Sequence, residues 1–210
     1  MKRAVKVSRR SYRLGRRAET VTQTRARIVA SARELISEGS FHRIPIEHVA
    51  ERAGVARATV YNRFGSKVGV LEAVIDDIER RARLPRILKA VELPDPIEAL
   101  QRTLEEGCRY WADEANIARN VIGLAAADPE IQVLVERRDQ QRLVVIERLV
   151  ARLEEHGLLA PDCSRRRAVD VLWLLSSFEA FDRLFSGRGL SVKAVASLHH
   201  DVARRVLVAS

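Results

Sequence analysis

Residues 57–63 read RATVYNR, and this short stretch carries a cation, a hydroxyl, a phenol, an amide and a second cation: Arg57, Thr59, Tyr61, Asn62 and Arg63, with Ala58 small among them. No acid occurs between Glu51 and Glu72. Displayed on one face of a helix, such groups can meet both the phosphates and the base edges of a duplex. On a helix with nothing opposite they would make an ordinary solvated surface, so the elements beneath them decide between the two readings.

Those elements are legible. Ile28, Ala32, Leu35 and Ile36 recur at helical spacing in a first helix from about Thr20 to Glu38, with Gly39 past its end. A second helix runs from Pro45 to Ala53 and buries Ile46, Val49, Ala50 and Ala53. Gly54 supplies the backbone freedom of a tight turn. A third helix follows to Phe64, with Val55, Val60 and Phe64 directed inward. Phe41 and Ile44 are expected to return to the core, and a fourth helix is predicted over Lys67–Arg83. Helix, glycine turn, helix is the pattern of a helix-turn-helix.

The stretch GVARATVYNRFGSKVGVLEAV, Gly54 to Val74, resembles the turn, recognition helix and fourth-helix opening of the TetR family of one-component regulators. TRARIVASARELISEGSF, Thr24 to Phe41, resembles that family's first helix. Gly54, Val55, Thr59, Tyr61, Phe64 and Lys67 stand at the expected spacings. The resemblance implies that Thr59 and Tyr61 contact DNA and that Arg57, Ala58 and Asn62 lie nearest the base edges. It places Arg63 and Lys67 at phosphates, and Thr24 and Arg25 near the backbone from the first helix. Three positions depart from the family. Ala56 replaces a capping Ser, a loss of ~1 kcal/mol. Pro45, at the DNA-facing start of the second helix, replaces a capping Thr and removes one phosphate contact. Gly69 replaces a common Glu, which is expected to loosen the first turn of the fourth helix.

Charge is distributed unevenly. Eight of the 37 basic residues and none of the 28 acids lie within residues 1–17, which leaves the remainder within one charge of neutral. Residues 1–18 are expected to be a disordered basic tail. Arg9, Arg10, Arg13, Arg16 and Arg17 would follow the DNA backbone or enter a minor groove, the plainer alternative being a leader that aids solubility.

Residues 19–83 then form the DNA-binding domain and 84–210 a helical domain for ligand binding and dimerisation. The stretch from Leu84-Pro85 to Pro96 reads as a break, followed by helices at about 96–114, 116–126, 129–156, 164–186 and 191–208. The fold class is all-α, with about nine helices. The helix at 164–186 carries Val171, Leu174, Leu175, Phe178, Phe181 and Phe185 on one stripe and Leu172, Ser176, Glu179 and Arg183 on another. The last helix carries Val195, Leu198, Val202 and Val206. A helix apolar on more than one side needs more than one cover. By resemblance Leu172, Ser176, Glu179, Arg183, Leu198, Val202 and Val206 face a second subunit across a two-fold axis; the alternative is a monomeric core. Leu104, Cys108, Trp111, Trp173, Phe178 and Phe181 are candidates to line an apolar effector pocket, although buried aromatics at helical spacing are more often plain core. By resemblance an effector would shift the helix near 116–126, and through it the fourth helix, separating two recognition helices.

The remaining chemistry is sparse. The five histidines are His42, His48, His156, His199 and His200, and the adjacent pair points to different helix faces. No Ser-His-Asp order, Cys-His pairing, P-loop or dinucleotide-binding glycine pattern stands out, so neither an enzyme nor a cofactor or metal is expected. Cys108 and Cys163 lack zinc-ligand spacing and are expected to be reduced and buried. No apolar run reaches the ~18 residues of a membrane span, and the basic N-terminus lacks the apolar segment of a secretion signal, which points to a soluble cytoplasmic protein. The expectation is a dimeric regulator, by family default a repressor, that binds a palindromic duplex and answers to a small molecule. A protein that coats DNA without sequence preference is the alternative.

Overall fold

The computed structural model of the chain describes residues 9–39, 45–81 and 83–209, with side chains from Thr22 onward. These residues form eleven α-helices, and an isolated antiparallel bridge pairs Leu159 with Val208. The chain divides into two units, Met1–Ile75 and Asp76–Ser210.

The first unit holds α1 (Arg9–Ser37), α2 (Ile46–Arg52), α3 (Arg57–Phe64) and most of α4 (Lys67–Arg81). Its core is the set that helical spacing selects: Ile28, Ala32, Leu35 and Ile36 from α1, Ile46, Val49 and Ala50 from α2, Val60 from α3, and Val70, Leu71 and Val74 from α4. The α1 helix starts earlier than the sequence suggests, since residues 9–18, expected in a disordered tail, are helical in backbone. Arg, Leu and Ala are strong helix formers, and like-charge neighbours on a helix oppose it by only a few tenths of a kcal/mol per pair. The expected return of Phe41 and Ile44 lies outside the described residues.

Between α2 and α3 the chain turns through Gly54 at φ +62°. The Val55 amide donates to the Ala50 carbonyl at 2.9 Å and the Gly54 amide to Glu51 at 3.0 Å, the paired bonds of a Schellman ending. Ala56 opens α3 without a side-chain cap. At the next corner the Ser66 hydroxyl accepts from the Gly69 amide at 3.1 Å. Gly69 does not loosen this corner: a Cβ there would lie 2.0 Å from the Phe64 carbonyl oxygen, so the glycine is what allows α4 to start so close to the end of α3.

The second unit holds α5 (Leu84–Val91), α6 (Pro96–Asp113), α7 (Ala115–Ala125), α8 (Pro129–Glu155), α9 (Arg165–Leu175), α10 (Phe178–Arg188) and α11 (Val192–Leu207). Asp95, Asp128, Ser164, Ser177 and Ser191 each cap the helix that follows through a side-chain oxygen. Two helices differ from expectation. The stretch read as a break contains α5, because Pro85 falls in the first turn, where its missing N–H is harmless. Its exit is sealed by Arg152 of α8, whose guanidinium donates to the carbonyls of Val91, Leu93 and Pro94. The single helix expected at 164–186 is two. Ser177 turns its hydroxyl back to the Leu174 carbonyl at 2.8 Å and also accepts from the Ala180 amide at 3.2 Å. A serine that competes for backbone groups in this way ends one helix and caps the next.

The break divides the apolar residues between two clusters. Leu172 joins Leu100, Leu104, Leu149 and Leu207 in one, and Phe178 and Phe181 join Cys108, Val195 and Ala196 in the other. The last turns of α4 are tied to α8 by Arg138, which reaches both Asp76 and Glu79.

Candidate nucleic-acid interface

Helix α3 is held by Val60, which has no exposed surface, and the groups on its other side stand in solvent. Arg57, Ala58, Tyr61 and Asn62 are exposed, while Thr59, Arg63 and Lys67 are half-buried. The sequence-derived face is therefore real as a surface. From α1, Thr24 is half-buried and Arg25 exposed. The Arg25 guanidinium sits 5.1 Å over the Phe64 ring, a cation–π contact that joins the first helix to the end of the third. Pro45 is exposed at the cap position of α2 and makes no side-chain cap bond. The side chains of Arg9, Arg10, Arg13, Arg16 and Arg17 lie outside the described residues.

One neighbour of this face escapes a linear reading. The segment from residue 52 to 71 contains no acid, yet Glu47 Oε1 of α2 lies 2.8 Å from the Arg57 Nε. The same guanidinium lies 5.1 Å over the Tyr61 ring and donates to the Tyr61 hydroxyl at 3.4 Å. The signal was the turn itself, since a helix-turn-helix folds the start of its second helix back onto the third.

The second unit corrects the proposed pocket. Leu104, Cys108, Trp111, Trp173, Phe178 and Phe181 divide between two apolar clusters. Leu104 is buried in one apolar cluster, and Cys108, Phe178 and Phe181 in the other. The Trp111 indole donates to the Ser176 carbonyl at 2.9 Å. The Trp173 ring lies 3.8 Å beneath the Arg142 guanidinium. These aromatics close the bundle rather than open it. A cleft of about 460 Å³ does occur, lined among others by Arg119, Ile122, Phe178, Asp182 and Arg183. Of the six candidates only Phe178 borders it. Across it Arg119 of α7 donates to Asp182 of α10 at 2.7 Å and to Ser186 at 3.0 Å. The arginine and the Ser186 hydroxyl hold the Asp182 carboxyl below its usual range, against the opposing effect of burial.

The expected subunit face is likewise revised. Leu172 is 1% exposed and belongs to the core. Ser176 is half-buried, and its hydroxyl accepts from Arg142 at 2.7 Å. Val206 packs against the cluster around Leu172. The cause is the break at Ser176-Ser177, which ends the stripe the sequence runs through. Leu198 and Val202 of α11 remain exposed, as do Glu179 and Arg183 of α10. Leu174, assigned to the other stripe, is 65% exposed.

Folding also makes a Cys–His pair that linear spacing hides. Cys108 Sγ lies 3.8 Å from His199 Nδ1, both buried. Burial, with Glu105 adding to it, pushes the thiol up to about 12, and burial holds the imidazole below its ordinary value. Both groups stay neutral, so the pair is a packed contact rather than an activated thiolate. Cys108 and Cys163 are both free and buried. No helix among the described residues is long and apolar enough to cross a membrane.

With this geometry in hand, residues 28–74 match the family described as bacterial regulatory proteins, tetR family. Over a longer span the chain is similar to the HTH-type transcriptional regulator CymR of Pseudomonas putida, 24% identical over 85% of this chain and 82% of that one. It is also similar to the HTH-type transcriptional regulator UidR of Escherichia coli, 20% identical over 76% of this chain and 83% of that one. Among solved structures it resembles NalD of Pseudomonas aeruginosa, the secondary repressor of the MexAB-OprM multidrug efflux pump, with a TM-score of 0.69 and 26% identity over 90% of this chain and 98% of that one. It shares its fold with a putative transcriptional regulator from Saccharomonospora viridis in complex with choline, with a TM-score of 0.72 and 21% identity over 90% of this chain and all of that one.

Proposed function

We propose that the chain, which matches the tetR family of bacterial regulatory proteins over residues 28–74, is a repressor that binds a palindromic operator as a homodimer and leaves it when a small molecule occupies the second unit. The observation that carries the reading is the exposed row Arg57, Ala58, Tyr61 and Asn62 standing over a fully buried Val60. Such a helix presents donors and acceptors to a major groove while its own fold stays intact. Thr59, Arg63, Lys67, Thr24, Arg25 and the start of α2 at Pro45 border this surface in the reading proposed here, and the arginines of residues 9–17 add phosphate contacts.

A single such domain reads a half-site, so two copies give the palindrome. Leu198 and Val202, with Leu174, Glu179 and Arg183, are the exposed residues from which the subunit contact is built. Effector binding in the cleft beside Phe178 lowers operator affinity by the reciprocity of linked equilibria.

The test is selection of bound duplexes from a random pool, with the recovered sequence measured against random DNA. The expected preference is ~10³-fold or more, with two related half-sites. Equal affinity for all duplexes would identify a coating protein instead. Repeating the selection with a small-molecule extract reads effector release. Removal of residues 1–17 should reduce the log–log salt slope by ~0.9 for each phosphate that those arginines neutralise; an unchanged slope rejects the arm. Sedimentation at micromolar concentration should show dimers that Leu198→Glu converts to monomers.

A further inference from the structure

We propose that Glu47 is a positioning residue for sequence reading: it holds Arg57 in the conformation that reads one guanine in the major groove. The inference deepens the operator-binding reading above and rests on it. The Arg57 guanidinium is held on two sides. Glu47 Oε1 forms an ion pair with it, 2.8 Å from Nε, and the Tyr61 ring lies 5.1 Å below, with its hydroxyl accepting from Nη2 at 3.4 Å. Nη1 has no partner among the described residues. The planar donors of an arginine match O6 and N7 of guanine, the commonest specific contact in a major groove.

Stability does not explain the pair. The Arg57 and Glu47 side chains are 60% and 43% exposed, and exposed ion pairs contribute little to folding. Orientation does explain it. A long side chain that must be immobilised on binding loses affinity to conformational entropy, and a carboxylate on one edge with a ring on one face removes most of that freedom beforehand. The carboxylate has a second effect. Beside a phosphate backbone it is repulsive, so it weakens binding to DNA in general while the arginine it orients favours one base pair. Selectivity gained through an unfavourable element in this way is a general device. A carboxylate that merely masked Arg57 would lower affinity for all duplexes alike, and the two roles separate experimentally.

The measurement is fluorescence anisotropy of the full-length chain on a selected duplex, on the same duplex with each G·C pair changed in turn to A·T, and on random DNA. In the wild type one G·C change should carry a penalty that vanishes in Arg57→Ala. Glu47→Ala should shrink that penalty by about 5- to 10-fold, which is about 1 to 1.4 kcal/mol at 1.4 kcal/mol per tenfold, leave the other penalties in place, and tighten random DNA by about 2- to 5-fold. Glu47→Gln keeps the shape but removes the charge that makes the ion pair with Arg57, so it should shrink the penalty and tighten random DNA as Glu47→Ala does. In an Arg57→Ala background, Glu47→Ala should leave the pattern of penalties unaltered. A uniform shift across all duplexes in Glu47→Ala overturns the proposal, as does a change in the remaining penalties when Glu47→Ala is made in the Arg57→Ala background. A wild type that prefers no duplex over random DNA would remove the operator reading itself and this inference with it. A selective wild type whose penalty survives Glu47→Ala removes only the inference.

Discussion

On α3 the side chains that carry chemistry stand in solvent over a single buried anchor, Val60. In the second unit the residues that looked chemical in sequence are engaged with the bundle itself. Trp111 is bonded to the Ser176 carbonyl, Trp173 lies under Arg142, and Cys108 contacts His199. An exposed helix face can be altered without disturbing the fold, so its residue types report on a partner. A residue inside a bundle answers first to its neighbours, and its type reports on packing and hydrogen-bond satisfaction. If the contrast holds, substitutions on α3 should change DNA affinity at constant stability, and substitutions in the bundle should change stability at constant DNA affinity. The anchor Val60 should do both.

The sharpest break in that comparison is Val60→Asp. An unpaired carboxylate in a fully buried site should destabilise the first unit by about 4 kcal/mol or more, so that calorimetry no longer shows its transition and operator binding disappears. Next is Arg142→Met. The guanidinium donates to the Trp173 carbonyl at 2.9 Å and to the Ser176 hydroxyl at 2.7 Å, and burial already lowers its pKa from the ordinary arginine value. Removing the guanidinium leaves the Ser176 hydroxyl without its donor and the Trp173 carbonyl with the Ser176 hydroxyl at 3.4 Å, which should lower stability by about 2–3 kcal/mol in denaturant melts, with operator affinity per folded molecule unchanged. A matching fall in affinity would show that the break between α9 and α10 also serves DNA binding. Asn62→Ala works from the opposite side. It should reduce discrimination at one base pair by about 1–3 kcal/mol while the melt stays within about 0.5 kcal/mol of wild type.

The smallest effect is a pH dependence. Burial holds the His199 imidazole below its ordinary value of 6.5, so the unfolded chain takes up a proton that the folded chain refuses. Stability is then full above pH 6.5 and declines as pH falls toward the folded pKa. The Glu79 carboxyl acts in the opposite sense, being pushed up by burial and by Asp76 although Arg138 opposes it. The informative quantity is therefore the difference between wild type and His199→Gln, measured by denaturant melts at about pH 7.5 and about pH 5.5. The variant should lose less stability on acidification. Parallel losses would show that His199 takes up its proton without penalty in the fold.

Local residue order was enough for the first unit's core and the exposed polar face of α3, because a lone amphipathic helix obeys one rule: every third or fourth side chain goes inside and the rest stay out. Gly54 is a local signal of the same kind, read from dihedral freedom. Whatever depends on distant neighbours was settled by the folded chain. Folding set Glu47 beside Arg57, paired Cys108 with His199, sealed α5 with Arg152 and gave Ser176 to Arg142. It also made Gly69 a steric necessity rather than a loose turn. Periodicity states which face of a helix is apolar, but it carries no information about which other helix covers that face. In a bundle of seven helices the cover is chosen by packing over the whole unit.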